Sequence, residues 1–218
     1  MPAGRTTGGG DAASEAEAAL LARLRAGDRA AFAALVGRHA GSLLRVARSL
    51  VRDRAVAEEV VQETWLGALT GIDAFEGRSS LRTWLFQILV NRARTRFARE
   101  GRTVPFSALA GPGEGDPPAV EPGRFDEHGG WREPGGAWTE EDPERLAMGA
   151  ETRAAIEAAI QELPPAQRAV MTLRDIEGLE AAEICNLLSI TVTNQRVLLH
   201  RARVKVRQAL ERRPGGVR

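Results

Sequence analysis

The sequence predicts an all-α protein: two small helical domains joined by a disordered, acidic, Pro/Gly-rich linker. Three observations carry that expectation. Apolar residues recur at intervals of three and four through residues 15–102 and 149–213, the spacing of one helix face. Few segments alternate apolar and polar residues, so strands have little support. Between the periodic stretches, residues 111–144 hold six prolines and eight glycines with no apolar period. Such a segment cannot bury enough surface to offset the entropy of ordering it.

The elements follow in order. Residues 1–14 read as a disordered leader, without the apolar run of a secretion signal. Residues 15–26 and 28–51 read as helices broken at Gly27-Asp28, with Phe32, Leu35, Val36, Leu43, Leu44, Val46, Ala47 and Leu50 as the apolar face. A third helix presents Ala57, Val60, Val61, Thr64, Trp65, Ala68 and Leu69 inward. Its opposite side carries Glu59, Gln62, Glu63 and Leu66 at i, i+3, i+4 and i+7, an acidic strip with one leucine, suited to a basic partner helix.

A loop from Phe75 through Arg78 and Ser79 ends at Ser80, the expected N-cap of the fourth helix. There Leu81, Trp84, Leu85 and Ile88 make a core stripe, while Thr83, Gln87, Asn91 and Arg94 line up beside Trp84. Phosphates require charge, unstacked bases a ring, and base edges amides, so this stripe suits single-stranded or melted DNA. Either charged face, taken singly, is more readily read as a solvated surface.

Past the linker, residues 103–148, a helix over about 149–162 stops at Leu163-Pro164-Pro165, because proline ends one helix and opens the next. Residues 166–176 form that next helix, Glu177-Gly178 a turn, and residues 179–188 and 191–211 a helix-turn-helix pair around Ser189-Ile190. Thr191 is the expected N-cap. Val192, Leu199, Ala202, Val206 and Leu210 point inward, with Arg196, His200, Arg203 and Arg207 outward. Thr193, Asn194, Arg196 and Val197 occupy the turns that reach base edges in a major groove, and Arg201, Arg203 and Lys205 suit phosphates. Cys185, among Ile184, Leu187 and Leu188, reads as a small buried hydrophobe. Residues 214–218 are a tail.

The formal net charge of +1 hides a segregation. Residues 78–102 carry seven arginines against Glu100, and residues 196–213 carry six arginines and Lys205 against Glu211. Residues 111–144 carry ten carboxylates against Arg124 and Arg132. Two basic modules flanking an acidic connector suggest nucleic acid at both ends. The Ala/Arg/Gly bias is equally accounted for by a GC-rich genome. One cysteine excludes an internal disulfide and fits a reducing cytoplasm. With His39, His128 and His200 it offers no metal-site spacing, and no cofactor or catalytic constellation is expected.

The segments AEEVVQETW, SSLRTWLFQI and NRAR resemble regions 2.2 to 2.4 of the extracytoplasmic-function (ECF) sigma factors, the promoter-specificity subunits of bacterial RNA polymerase. RAGDRAAFAALVGRHA resembles region 2.1, and LPPAQRAVMTLRDIEGLEAAEICNLL with LHRARVKVRQAL resembles region 4. The resemblance implies that Glu59, Gln62, Glu63 and Leu66 dock on the clamp helices of the polymerase largest subunit. It implies that the 75–80 loop and the Asn91-Arg92 region capture a flipped minus-ten base beside Trp84, and that the 193–203 face reads the minus-thirty-five element as duplex. It further implies a linker threading the polymerase channels, an anti-sigma partner, and a chain monomeric when free with no membrane contact. One departure stands out: Gln195 lies where an apolar residue is usual and Leu198 where a basic one is usual. The rival reading is a helix-turn-helix activator that uses residues 149–213 alone, which leaves residues 53–99 unexplained.

Overall fold

The computed structural model describes residues 8–51, 53–99 and 153–212, in two compact units. The leader before residue 8, the whole 103–148 linker and the tail lie outside the described residues. Among the described residues there is no strand, and no helix is long and apolar enough to cross a membrane.

The first unit contains α1 (Gly8–Arg25), α2 (Arg29–Leu50), α3 (Arg54–Gly71), a 3-10 turn (Ile72–Ala74) and α4 (Leu81–Arg99). α2, α3 and α4 pack mutually, and α1 packs on α2 and on the 3-10 turn. Helix α1 begins at Gly8, inside the span expected to be a disordered leader. The breaks are chemical. Asp28 caps α2, its Oδ1 accepting from Ala30 N at 2.8 Å and Ala31 N at 3.1 Å. Gly27 supplies the left-handed φ of +74° that turns the chain there. Asp53 caps α3 through Ala55 N at 2.7 Å.

Leu43, Val46, Ala47, Val60, Leu85 and Leu89 are fully enclosed with Phe86, so the core is close-packed helix faces dominated by aliphatic side chains. One inward expectation fails. Leu69 is 52% exposed, because its side of α3 borders an open cavity with Leu24, Phe32 and Ile72 rather than a neighbouring helix. Trp84, like Val61, Trp65 and Ile88, is half-buried.

The second unit contains α5 (residues 153–161), α6 (Pro165–Met171), a π-helical turn (Thr172–Ile176), α7 (Ala181–Leu188) and α8 (Val192–Glu211). Residues 149–152 of the expected first helix lie outside the described residues. Pro165 opens α6, and the wider π turn extends it to Ile176. Gly178, at φ +69°, reverses the chain, and Leu179 N closes onto Leu173 O at 3.0 Å. A capping box between Glu180 and Glu183 starts α7. Ser189, left-handed at φ 54°, ends it by donating to Cys185 O. Cys185 is half-buried rather than buried, and burial pushes its thiol pKa up.

Candidate nucleic-acid interface

On α3 the strip forms as the spacing requires: Glu59, Gln62 and Leu66 are exposed and Glu63 half-exposed, with Leu66 64% open to solvent. Sequence reasoning missed the residue that faces them. Arg96 on α4 forms an ion pair with Glu59, and its Nη1 lies 3.8 Å from Glu63 Oε1. Arg92, one turn earlier on α4, runs across α3 at Gly67, where a Cβ would sit 3.4 Å from Arg92 Nη2 and 3.1 Å from Ile88 Cγ2. The 92/96 spacing puts both arginines on one helix face. That signal was available, but it does not say which helix the face meets.

The loop is built around two aromatic rings. Phe75 is buried and tilts against Trp84 at 5.1 Å between centroids. The Trp84 indole lies over Gly71, whose missing Cβ would stand 3.5 Å from Trp84 Cζ2. Phe75, expected as a DNA contact, therefore supports the tryptophan from inside, while Glu76, Gly77, Arg78, Ser79 and Ser80 form an exposed arc. Arg78 pairs with Glu76 at 2.9 Å, and Gly77 takes φ +71°.

Ser80 caps α4, accepting from Thr83 N at 3.1 Å, and its hydroxyl shares a 2.9 Å hydrogen bond with that of Thr83. Gln87 Nε2 donates to Asn91 Oδ1 at 3.2 Å, so those two amides share one stripe. Arg94, on the same stripe, is half-buried, and desolvation lowers its pKa. Arg92 leans toward α3 and so is drawn away from the stripe of Gln87 and Asn91.

On α8, Thr191 accepts from Asn194 N at 3.2 Å and caps the helix. Thr193, Arg196 and Val197 are exposed, Val197 to 40%; Asn194, His200 and Arg201 are half-exposed. Val192, expected inward, is 46% exposed: the buried face begins one turn later at Gln195 and continues through Leu198, Leu199 and Ala202. The two departures from the family pattern thus both point inward, leaving the outward face to Thr193, Arg196, Val197 and His200. Arg203, expected on phosphate, instead grips Asp175 of the π turn through Nε at 2.9 Å and Nη2 at 2.7 Å. Asp175 was not anticipated; no local spacing links it to residue 203.

Comparison with known proteins agrees with both units. A family model described as Sigma-70 region 2 matches residues 35–103, and one described as Sigma-70, region 4 matches residues 153–206. The chain is 33% identical over 185 residues to the ECF RNA polymerase sigma-E factor of Escherichia coli K12, covering 84% of this chain and 88% of that protein. It is 29% identical over 197 residues to the RNA polymerase sigma-H factor of Pseudomonas aeruginosa, covering 90% and 95%.

Among solved structures, the fold is shared with CnrH in complex with the cytosolic domain of CnrY: TM-score 0.53, 23% identity, 90% of this chain and 97% of that one. It is shared too with the sigma factor RpoE in complex with the anti-sigma factor NepR from Bartonella quintana: TM-score 0.54, 21% identity, 84% and 98%. Region 2 followed by region 4 defines the class, a sigma-70-type initiation factor. Within that class, the chain belongs to the extracytoplasmic-function sigma factors.

Proposed function

We propose that the chain binds core RNA polymerase through the α3 strip and directs promoter recognition and melting through its two basic units. The observation that carries this is one face of α3, where exposed Leu66 sits beside Glu59, Gln62 and Glu63. A strip of acidic and amide groups around one exposed leucine is complementary in charge to a basic, amphipathic partner helix that could cover the leucine on docking. The clamp helices of the largest polymerase subunit are that partner.

The exposed arc Glu76–Ser80, with Trp84, Thr83, Gln87 and Asn91, takes the minus-ten strand. Unstacking a base costs a few kcal/mol per step, which the indole face and the amide stripe offset. Thr193, Asn194, Arg196, Val197 and His200 face the minus-thirty-five duplex, with Arg201 toward phosphate. Arg203 acts from behind, holding α8 against the π turn. The chain works in the cytoplasm, without catalysis of its own and without a cofactor, and is held by an anti-sigma protein, a kind of partner found with RpoE in the solved complex with NepR.

Run-off transcription with purified core polymerase on fragmented genomic DNA is the test. Discrete transcripts that require the chain are expected. Footprints on palindromic duplex in the absence of polymerase, with no transcripts in its presence, would favour the activator reading instead.

A further inference from the structure

We infer that α1 is a clamp that sets the shape of the minus-ten loop, acting through Glu17 and Arg25. The inference rests on the reading of that loop as a base-capture site, and adds two residues that touch no DNA.

The loop has two ends, and α1 holds both. At the first, Arg25 Nη2 donates to Phe75 O at 2.6 Å. At the other, Glu17 Oε1 accepts from Leu81 N at 2.5 Å, the first amide of α4. A helix start leaves its first amides without intrahelical partners. Here Ser80 satisfies the amide of Thr83 locally, and a carboxylate 64 residues away in sequence satisfies that of Leu81. A carboxylate at that position also complements the α4 dipole. Glu17 and Arg25 stand eight residues apart on α1, about 12 Å along the axis at 1.5 Å per residue. The helix therefore acts as a rigid strut that fixes the separation of the loop ends.

Between those ends the loop is held only locally, by the Phe75 ring against Trp84, the Ser80 cap and the exposed Arg78–Glu76 pair. Residues 76–80 are all exposed, and Gly77 adopts a left-handed conformation that imposes no side-chain packing. Beside the first contact lies the open cavity lined by Leu24, Arg25, Leu69, Ile72 and Asp73. On that side the Arg25 hydrogen bond adds the link to α1, at the edge of a void, to a Phe75 whose ring is buried and whose amide bonds Ile72 O at 3.2 Å. A base pocket misplaced by an ångström loses much of its discrimination, so the length of this strut sets how sharply the loop reads its base.

The experiment uses holoenzyme reconstituted with the full chain, on a promoter identified by run-off and on variants altered at single minus-ten bases. The readout is the ratio of transcription from the preferred to the substituted promoter. Glu17→Ala and Arg25→Ala should each lower that ratio at least about fivefold, the equivalent of about 1 kcal/mol, with core-polymerase binding unchanged. Glu17→Gln, which keeps an acceptor for Leu81 N, should restore most of it. A purely structural role would depress transcription from all promoters alike and leave the ratio intact; that result overturns the inference. Arg78→Ala with Ser79→Ala separates the two layers. If the loop variant collapses the ratio while the α1 variants do not, the clamp fails alone; if the loop variant leaves the ratio unchanged, base capture fails and the clamp with it.

Discussion

Single residues decide where these helices begin. Asp53 accepts from the amides of Ala55 and Val56, and replacing such a cap by alanine costs about 1 kcal/mol. Asp53→Ala should lower the urea midpoint by that equivalent without changing the m-value. Asp28 adds a pH dependence. The Ala31 amide first, and then the Arg23 side chain, hold its carboxyl below the ordinary value of 3.8. Folding therefore favours the ionised form, a contribution complete above 3.8 and lost as pH falls through the lower folded value. The stability difference between wild type and Asp28→Asn, which caps without ionising, should hold steady from neutrality down to that range and narrow below it. A difference that widens on acidification would contradict the assignment.

At the scale of elements, pairing between helices changes what individual arginines do. The fork between Arg203 and Asp175 ties α8 to the π turn. An arginine that contacts phosphate contributes about 0.9 to the slope of log affinity against log salt. Arg203→Ala should thus weaken the unit's resistance to urea and leave the salt dependence of duplex binding by holoenzyme unchanged, whereas Arg201→Ala should flatten it by about that much. A flattened slope in Arg203→Ala would return that residue to the DNA.

The same contrast explains what the sequence could convey. Caps at Ser80 and Thr191, the proline break at Pro164-Pro165 and the acidic α3 strip are local, written within four residues of one another. The pairs Arg96–Glu59, Arg203–Asp175 and Leu81–Glu17 join distant segments. No spacing rule encodes them, because they exist only once the core has set the helices side by side. Val192 and Leu69 failed for a related reason: periodicity names a face, and packing decides how far along the helix that face stays covered.

For the whole molecule, two DNA-facing units gain from being held on one polymerase, since tethering converts the second contact into an intramolecular one. Everything then depends on docking. Reversing the charges of Glu59 and Glu63 would crowd cations around Arg96 and confound docking with folding. The isosteric Glu59→Gln/Glu63→Gln pair avoids that, and Leu66→Ala removes the apolar contact at a site too exposed to matter for the core.

The most direct measurement is the affinity of purified core polymerase for these chains, with helical content and urea midpoint recorded alongside. Each variant should fold as wild type and bind core polymerase at least about tenfold more weakly, the equivalent of 1.4 kcal/mol. Wild-type affinity in both would contradict the assignment of α3 as the docking surface.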